Sequence, residues 1–388
     1  MMTHTTGDER TSYFRLQKEP EVMHMSHVLS VSTYDPPYVF EQSDTAALAK
    51  QLFADHFPDI DRLLNVFANG EIKQRHFSVP FTWFKEDHSL QERNDLYIKQ
   101  ATAYGREVVT RCLSHPAHLN RTIEPREIDA MICVSSTGMS TPSLDARIMN
   151  QLPFSPHTKR IPLWGLGCAG GASGLSRAYE YTTAFPKSAV LLVCIELCGL
   201  TFQKQDPSKS NLIGTSLFAD GVACALICGK ESPLKNAATE TTLPTIQATQ
   251  STLMPDSEEV MGWDVKDSGL HVVFARSIPH IVESWLKDNV ENFLAASEKT
   301  VDDVDHFIAH PGGKKVITAY EKALGFSSEM TATARHVLQH YGNMSSPTVL
   351  YVLKRCLEMP HQVGESGLVA ALGPGFCSEL LLLEWMGD

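Results

Sequence analysis

RIPLWGLGCAGGASGLSRAYEYTTAF, running from Arg160 to Phe185, is the stretch on which the fold turns. It opens extended and apolar as far as Leu166. It then breaks at Gly167-Cys168-Ala169-Gly170-Gly171 and reads as a helix from Ser173 to Phe185. Strand, glycine-rich turn and helix in that order form the unit of an α/β protein. The flanking runs Ile128 to Ser135 and Ala189 to Glu196 are continuously apolar, the pattern of strands covered on both faces. A further apolar strand, Gly221 to Cys228, follows the turn at Asp220.

The second half repeats the order. Ile278 to Leu294 reads as helix, Val304 to Ala309 as strand, Pro311 to Gly313 as turn and Lys314 to Leu324 as helix. Ser346 before Pro347 predicts an N-cap followed by proline at the first helical position. Leu368 to Leu372, a Gly-Pro-Gly turn and Phe376 to Trp385 read as a β-hairpin. Residues 230–245 are polar and poor in strand signal, which puts a boundary there. The expected organisation is a duplicated α/β architecture with halves at 26–238 and 239–388. Upstream, Thr45 to Phe57 has helical spacing, 70–91 is loop-like around Pro80, and Asn94 to His115 reads as a long helix. Residues 1–25 read as a polar tail.

Of the 388 residues, 43% are hydrophobic and 20% charged, ordinary globular values with ample material for a core. No run reaches the roughly 18 apolar residues of a membrane helix; the best, Ala189 to Leu200, is broken by Glu196. Asp8, Glu9 and Arg10 do not suit a secretory signal, so a cytoplasmic location without integral membrane association is expected. A net charge of −12 argues against a broad nucleic-acid face but leaves room for a small basic mouth. Nine cysteines and no secretory signal argue against a disulfide framework. The pairs Cys194/Cys198 and Cys224/Cys228 lie in apolar segments, so they read as core residues and no metal site is expected.

Cys168 stands where strand meets helix. The positive helix end favours thiolate, and small neighbours let a substrate approach the backbone. His310 ends a strand and enters a Pro-Gly-Gly turn, where a histidine can take a thiol proton or hydrogen-bond an oxyanion. Asn343, just before a helix, can donate its amide to a thioester or enolate oxygen without competing for that proton. Each also has a plain structural reading, as core thiol, surface imidazole or turn asparagine. Together, in this order, they point to acyl transfer through a thioester on Cys168.

These residues sit in motifs that resemble those of the type III polyketide synthases, the chalcone-synthase superfamily, from about His27 to the C-terminus. The motifs are GCAGG at 167–171, LFADG at 217–221, IAHPGG at 308–313, YGNMSS at 341–346 and GPG at 373–375. The bacterial, alkylpyrone-forming branch is the nearest match. The resemblance implies a thiolase-like, duplicated αβαβα five-layered fold and a homodimer. It also implies CoA thioesters as substrates with no permanently bound cofactor and no metal. Cys168, His310 and Asn343 would be catalytic, with acyl-CoA loading Cys168 and malonyl-CoA extending the chain by decarboxylative condensation. Phe218 would be the gatekeeper, and Ser345, Thr201, Gly373, Pro374 and Gly375 would shape the cavity.

The sequence departs from the plant pattern in several places. Of three basic CoA-phosphate positions, now Arg62, Asn65 and Asn69, only one charge survives, and Lys315 is expected to compensate. Cys198 replaces a threonine, Thr141 a methionine that crosses the dimer interface, and Trp263 a glycine. Small groups at 198 and 141 suit a long aliphatic starter, with Trp263 closing the aromatic pocket. A ketoacyl synthase III, condensing once from a carrier protein, is the nearest rival, and a non-catalytic acyl-binding module is the rival of another class. A hydroxymethylglutaryl-CoA synthase would need a glutamate base, where Ser136 and Thr137 offer none.

Overall fold

In the computed structural model, residues 25–387 are described. The expected tail therefore lies, but for Met25, outside the described residues. Strands β1 (Ser26–Tyr34) and β2 (Tyr38–Glu41) lead to helix α1 (Gln42–Phe53), and β3 (Gln74–Phe77) pairs with β2. Helix α2 (Leu90–Leu113) is followed by β4 (Ala130–Val134), α3 (Leu144–Met149), β5 (Lys159–Leu163), α4 (Gly170–Ala184) and β6 (Ala189–Leu197). Helix α5 (Lys209–Leu217) and β7 (Asp220–Gly229) complete the first half. The second contains β8 (Leu243–Leu253), the ribbon β9 (Met261–Lys266) and β10 (Gly269–Phe274), and α6 (Lys287–Ala296). Then come β11 (His306–Ala309), α7 (Lys314–Leu324), α8 (Ala332–Tyr341), α9 (Thr348–Leu357), β12 (Ser366–Gly373) and β13 (Cys377–Met386).

Nine strands form one sheet in the order β11-β12-β13-β8-β1-β7-β6-β4-β5. The first half contributes five of its strands and the second four, joined where β1 pairs with β8 at Ser26 and His27. Strand alternation shows how it is layered. In β6, Leu191, Val193 and Ile195 face a cluster with Tyr97, Val108 and Val109 of α2. Val190, Leu192 and Cys194 face the opposite way, against Leu175 and Ala178 of α4 and Val349 and Leu353 of α9. Ile308, Val369 and Leu381 of the second half join that same inner cluster. Phe307, Leu368 and Leu382 face outward onto α6 and α7. Helices α4 and α9 are thus sandwiched between the two parts of the sheet, with outer helices beyond each, giving the five-layered, thiolase-like arrangement.

Several local readings shift. Helix α2 starts at Leu90 rather than Asn94, because Ser89 and Glu92 form a capping box: Glu92 N donates to Ser89 Oγ at 3.2 Å and Ser89 N to Glu92 Oε2 at 2.8 Å. Helix α1 runs from Gln42 to Phe53 and closes in a tight turn, with His56 N donating to Phe53 O at 3.0 Å. The segment 70–91 is not all loop, since it carries β3 and a 3₁₀ turn at Phe81–Lys85. Ser346 does not cap α9; its hydroxyl donates instead to the buried Glu196 carboxylate at 2.9 Å, and Pro347 occupies the N-cap. No helix among the described residues is long and apolar enough to cross a membrane.

Candidate active site

Cys168 follows β5 and His310 follows β11, the two edge strands of the nine-stranded sheet. They nevertheless line one cavity together with Asn343. The sheet brings its edges together by folding around α4 and α9.

Glycines in and behind the Cys168 turn let the surrounding elements pack closely. A Cβ on Gly171 would lie 2.3 Å from Ser346 O, so this glycine lets α4 press against the start of α9. A Cβ on Gly373 would lie 2.6 Å from Leu166 O and Ala169 Cβ, so the first residue of the GPG loop backs the turn directly. Pro374 lines the space beside Cys168 with Ser345. Gly375 turns the chain at φ +132° into β13.

Cys168 is 5% exposed, and its Sγ lies 3.9 Å from Asn343 Oδ1 and 4.0 Å from Nδ2. Burial pushes its thiol up to about 11, outweighing the neighbouring Ser345 and Asn343 that favour thiolate. The resting group is therefore a thiol, not the expected thiolate. His310 is 2% exposed, and neither ring nitrogen has a hydrogen-bond partner in the protein. Burial pushes it down to about 3, so the ring is neutral. Its backbone is fixed by His310 N donating to Ala370 O at 2.8 Å.

Asn343 is held on all sides. Its Nδ2 donates to Gly312 O at 3.2 Å and its Oδ1 accepts from Ser345 N at 2.8 Å, with Ser345 at φ +59°. Asn343 N donates to Leu217 O, and Asn343 O accepts from Ala219 N, both at 2.9 Å. Phe218 lies between those two partners.

Three spaces lie in series. The outer one contains Cys168, His310 and Asn343, with Leu217, Phe274 and Tyr320 in its walls. Cys168 also lines the middle one, with Phe218, Trp263, Phe274 and Pro374. Phe218 and Trp263, with ring centroids 6.1 Å apart, are shared with the innermost space. That space is walled by Phe40, Leu48, Phe77, Phe84, Cys198 and Thr201. Thr141 is exposed and lines none of the three.

The mouth of the outer space carries Asn69, Arg276, Lys314 and Lys315. Lys314 pairs with Glu71 at 3.0 Å. Arg62 is not there: it is exposed and ion-paired with Asp59, and Asn65 is exposed elsewhere. Arg276, absent from the sequence reading, shares this lining with Lys314 and Lys315. Arg75 was also missed. Fully buried, it donates to Phe218 O at 2.6 Å and Thr215 O at 2.7 Å, fixing the backbone under Phe218. The ribbon that carries Trp263 was missed as well, although the alternation around Asp267-Ser268-Gly269 was a readable hairpin signal.

Comparison with known proteins follows the same outline. The model for the N-terminal domain of chalcone and stilbene synthases matches residues 21–232, and that for their C-terminal domain matches 245–386. A chalcone-synthase-like protein of Bacillus subtilis (strain 168) is 52% identical over 93% of this chain and 99% of its own. A 1,3,6,8-tetrahydroxynaphthalene synthase of Streptomyces peucetius subsp. caesius is 33% identical over 92% and 93%. An alpha-pyrone synthesis polyketide synthase-like protein of Mycobacterium tuberculosis is 28% identical over 91% and 90%. The crystal structure of the 1,3,6,8-tetrahydroxynaphthalene synthase of Streptomyces coelicolor A3(2), a bacterial type III polyketide synthase, superposes with a TM-score of 0.86. It is 29% identical and covers 93% of this chain and 100% of its own.

Proposed function

The chain belongs to the chalcone and stilbene synthase family of type III polyketide synthases, and we propose that it condenses a medium- or long-chain acyl-CoA starter with malonyl-CoA through a thioester on Cys168. The observation that carries the alkyl assignment is the series of spaces. Beyond the contacting rings of Phe218 and Trp263, which must part to admit a chain bonded to Cys168, lies an apolar space with no charged wall except the buried Arg75. The product is an alkylpyrone or alkylresorcinol, and the alpha-pyrone relative supports the pyrone form.

In this reading the acyltransferase chemistry starts from a neutral pair. As Cys168 Sγ bonds to the starter carbonyl and the CoA thiolate leaves, the thiol proton passes to the free ring nitrogen of His310 and on to that thiolate. Malonyl-CoA then loses carbon dioxide. The resulting enolate oxygen takes hydrogen bonds from His310 and Asn343, and its carbon attacks the Cys168 thioester, releasing the sulfur. The extended chain on CoA returns to Cys168 for the next round. Burial strengthens each hydrogen bond because little water competes.

Lys315 and Arg276 at the mouth hold the CoA phosphates, while Arg62 stands apart. The chain acts as a homodimer, with exposed Thr141 on the face that meets the second copy, beside the exposed Met139 and Trp164. The halves at 26–238 and 239–388 supply the cysteine and the histidine–asparagine pair respectively. The test is product analysis by mass spectrometry with malonyl-CoA and a panel of starter CoAs. Alkylpyrones or alkylresorcinols from fatty starters support the reading. A single condensation from a carrier-protein thioester would instead indicate a ketoacyl synthase III-like reaction.

A further inference from the structure

At the other end of β11, three side chains converge that the condensation does not use. His306 opens the strand and His310 follows its last residue, so roughly 13 Å of extended chain separates them. His361 and Glu365 lie between α9 and β12. His306 Nε2 is 2.9 Å, and His361 Nδ1 3.1 Å, from the same Oε2 of Glu365. All three ligand atoms lie within 4.8 Å of one another.

The hydrogens decide what this cluster wants. His361 Nε2 is 2.7 Å from Cys356 O. A carbonyl only accepts, so Nε2 carries the ring hydrogen. In the neutral ring Nδ1 then presents a lone pair to a carboxylate oxygen, so either a proton on Nδ1 or a metal ion must stand between the two atoms. A tetrahedral zinc ion, with bonds of about 2.0–2.2 Å, holds its ligands roughly 3.3 Å apart. The two separations from Glu365, 2.9 and 3.1 Å, reach that with a small opening, and the two imidazole nitrogens lie within 4.8 Å of each other.

The surroundings match as well. A ligating histidine that donates its other N–H to a backbone carbonyl is the usual outer support of a zinc site, and Cys356 O supplies it. Trp385 stacks on His361 at 4.1 Å and 18° and meets the edge of His306 at 4.9 Å, fixing both rings. The side chains of His306, His361 and Glu365 are 20%, 7% and 26% exposed, so an ion and a water can reach them.

We propose that His306, His361 and Glu365 bind one zinc ion, with water as the fourth ligand. Two imidazoles and a carboxylate suit zinc. The ion ties the start of β11 to the segment entering β12, and it takes no part in the carbon–carbon bond-forming step. Full-length protein stripped with a chelator is titrated with zinc by calorimetry, with the melting temperature followed in parallel. The expected result is one equivalent that raises the melting temperature. His306→Gln and Glu365→Gln should lose both that equivalent and the rise while keeping condensation activity. Cobalt(II) should give four-coordinate visible absorption in the wild type alone. Absence of saturable uptake in the wild type, or equal uptake by Glu365→Gln, overturns the proposal. Should His306→Gln fail to fold, the near-isosteric Glu365→Gln decides alone.

Discussion

Phe218 and Asn343 are coupled through their backbones. They form an isolated parallel β-bridge, in which Asn343 N and O bond to the residues on either side of Phe218. A group that meets the Cys168 thiol is thereby fixed to the ring that parts the middle and inner spaces. Displacing either residue moves the other.

The division of labour between sulfur and amide gives the first prediction. Cys168→Ala should abolish product formation, and retention of even a few per cent of it would rule out covalent catalysis by this residue. Cys168→Gln should still release carbon dioxide from malonyl-CoA. Asn343→Ala should lose decarboxylation by roughly 10²–10³-fold, the scale of one oxyanion donor. Direct measurement of released carbon dioxide separates these, and normal release by Asn343→Ala would remove its assigned role.

A second prediction follows from burial of His310. Its folded-state value lies near 3, well below the ordinary 6.5. The unfolded chain therefore binds a proton at this site below about pH 6.5 while the folded one does not until about pH 3. Wild-type stability should fall as the pH is lowered through that window, by up to roughly 1.4 kcal/mol per pH unit for one proton. In His310→Gln this contribution vanishes, so its stability should fall less steeply between pH 6.5 and 4 and match the wild-type slope above pH 7.5. Denaturant titrations across the range measure this. Equal slopes in the acid window would show that His310 is already protonated in the folded protein.

Starter length should respond to the inner wall. Each methylene buried contributes about 0.8 kcal/mol, so eight more carbons gain on the order of 6 kcal/mol before ordering costs. Cys198→Phe should shorten the longest accepted starter and spare short ones, whose turnover also reports correct folding. Because Thr141 is exposed in this chain, Thr141→Phe tests whether a second copy's residue reaches the space. The readout is kcat/KM across a chain-length series. An unchanged profile in Cys198→Phe would place the acyl chain elsewhere, and faster turnover of coumaroyl-CoA than of any fatty starter would reject the alkyl assignment.

Cations at the mouth should act on binding alone. Arg276→Ala and Lys315→Ala should each raise KM for CoA thioesters roughly two- to fivefold, the worth of an exposed charge pair, with kcat little changed. Both effects should shrink as salt rises. Arg62→Ala should leave KM unchanged, and a larger effect from Arg62 than from Arg276 would contradict the geometry.

The sequence by itself determined most of the elements and the candidate site residues. Continuous apolar runs marked β4, β6 and β7 because strands covered on both faces need no polar side. Lys314 to Leu324 and the Gly-Pro-Gly hairpin were readable because turn chemistry is local. Cys168, His310 and Asn343 each stood at a legible strand end or helix start. Tertiary structure decided what no local pattern contains. It folded the sheet so that the residues after its two edge strands share a cavity. It buried Cys168 and His310 deeply enough to make both neutral, against the helix-end expectation for the thiol. It placed Arg276 rather than Arg62 at the mouth, left Thr141 outside, and set Arg75 beneath Phe218. Desolvation and long-range proximity depend on which distant segments pack together, and side-chain periodicity records only which face of a segment is buried.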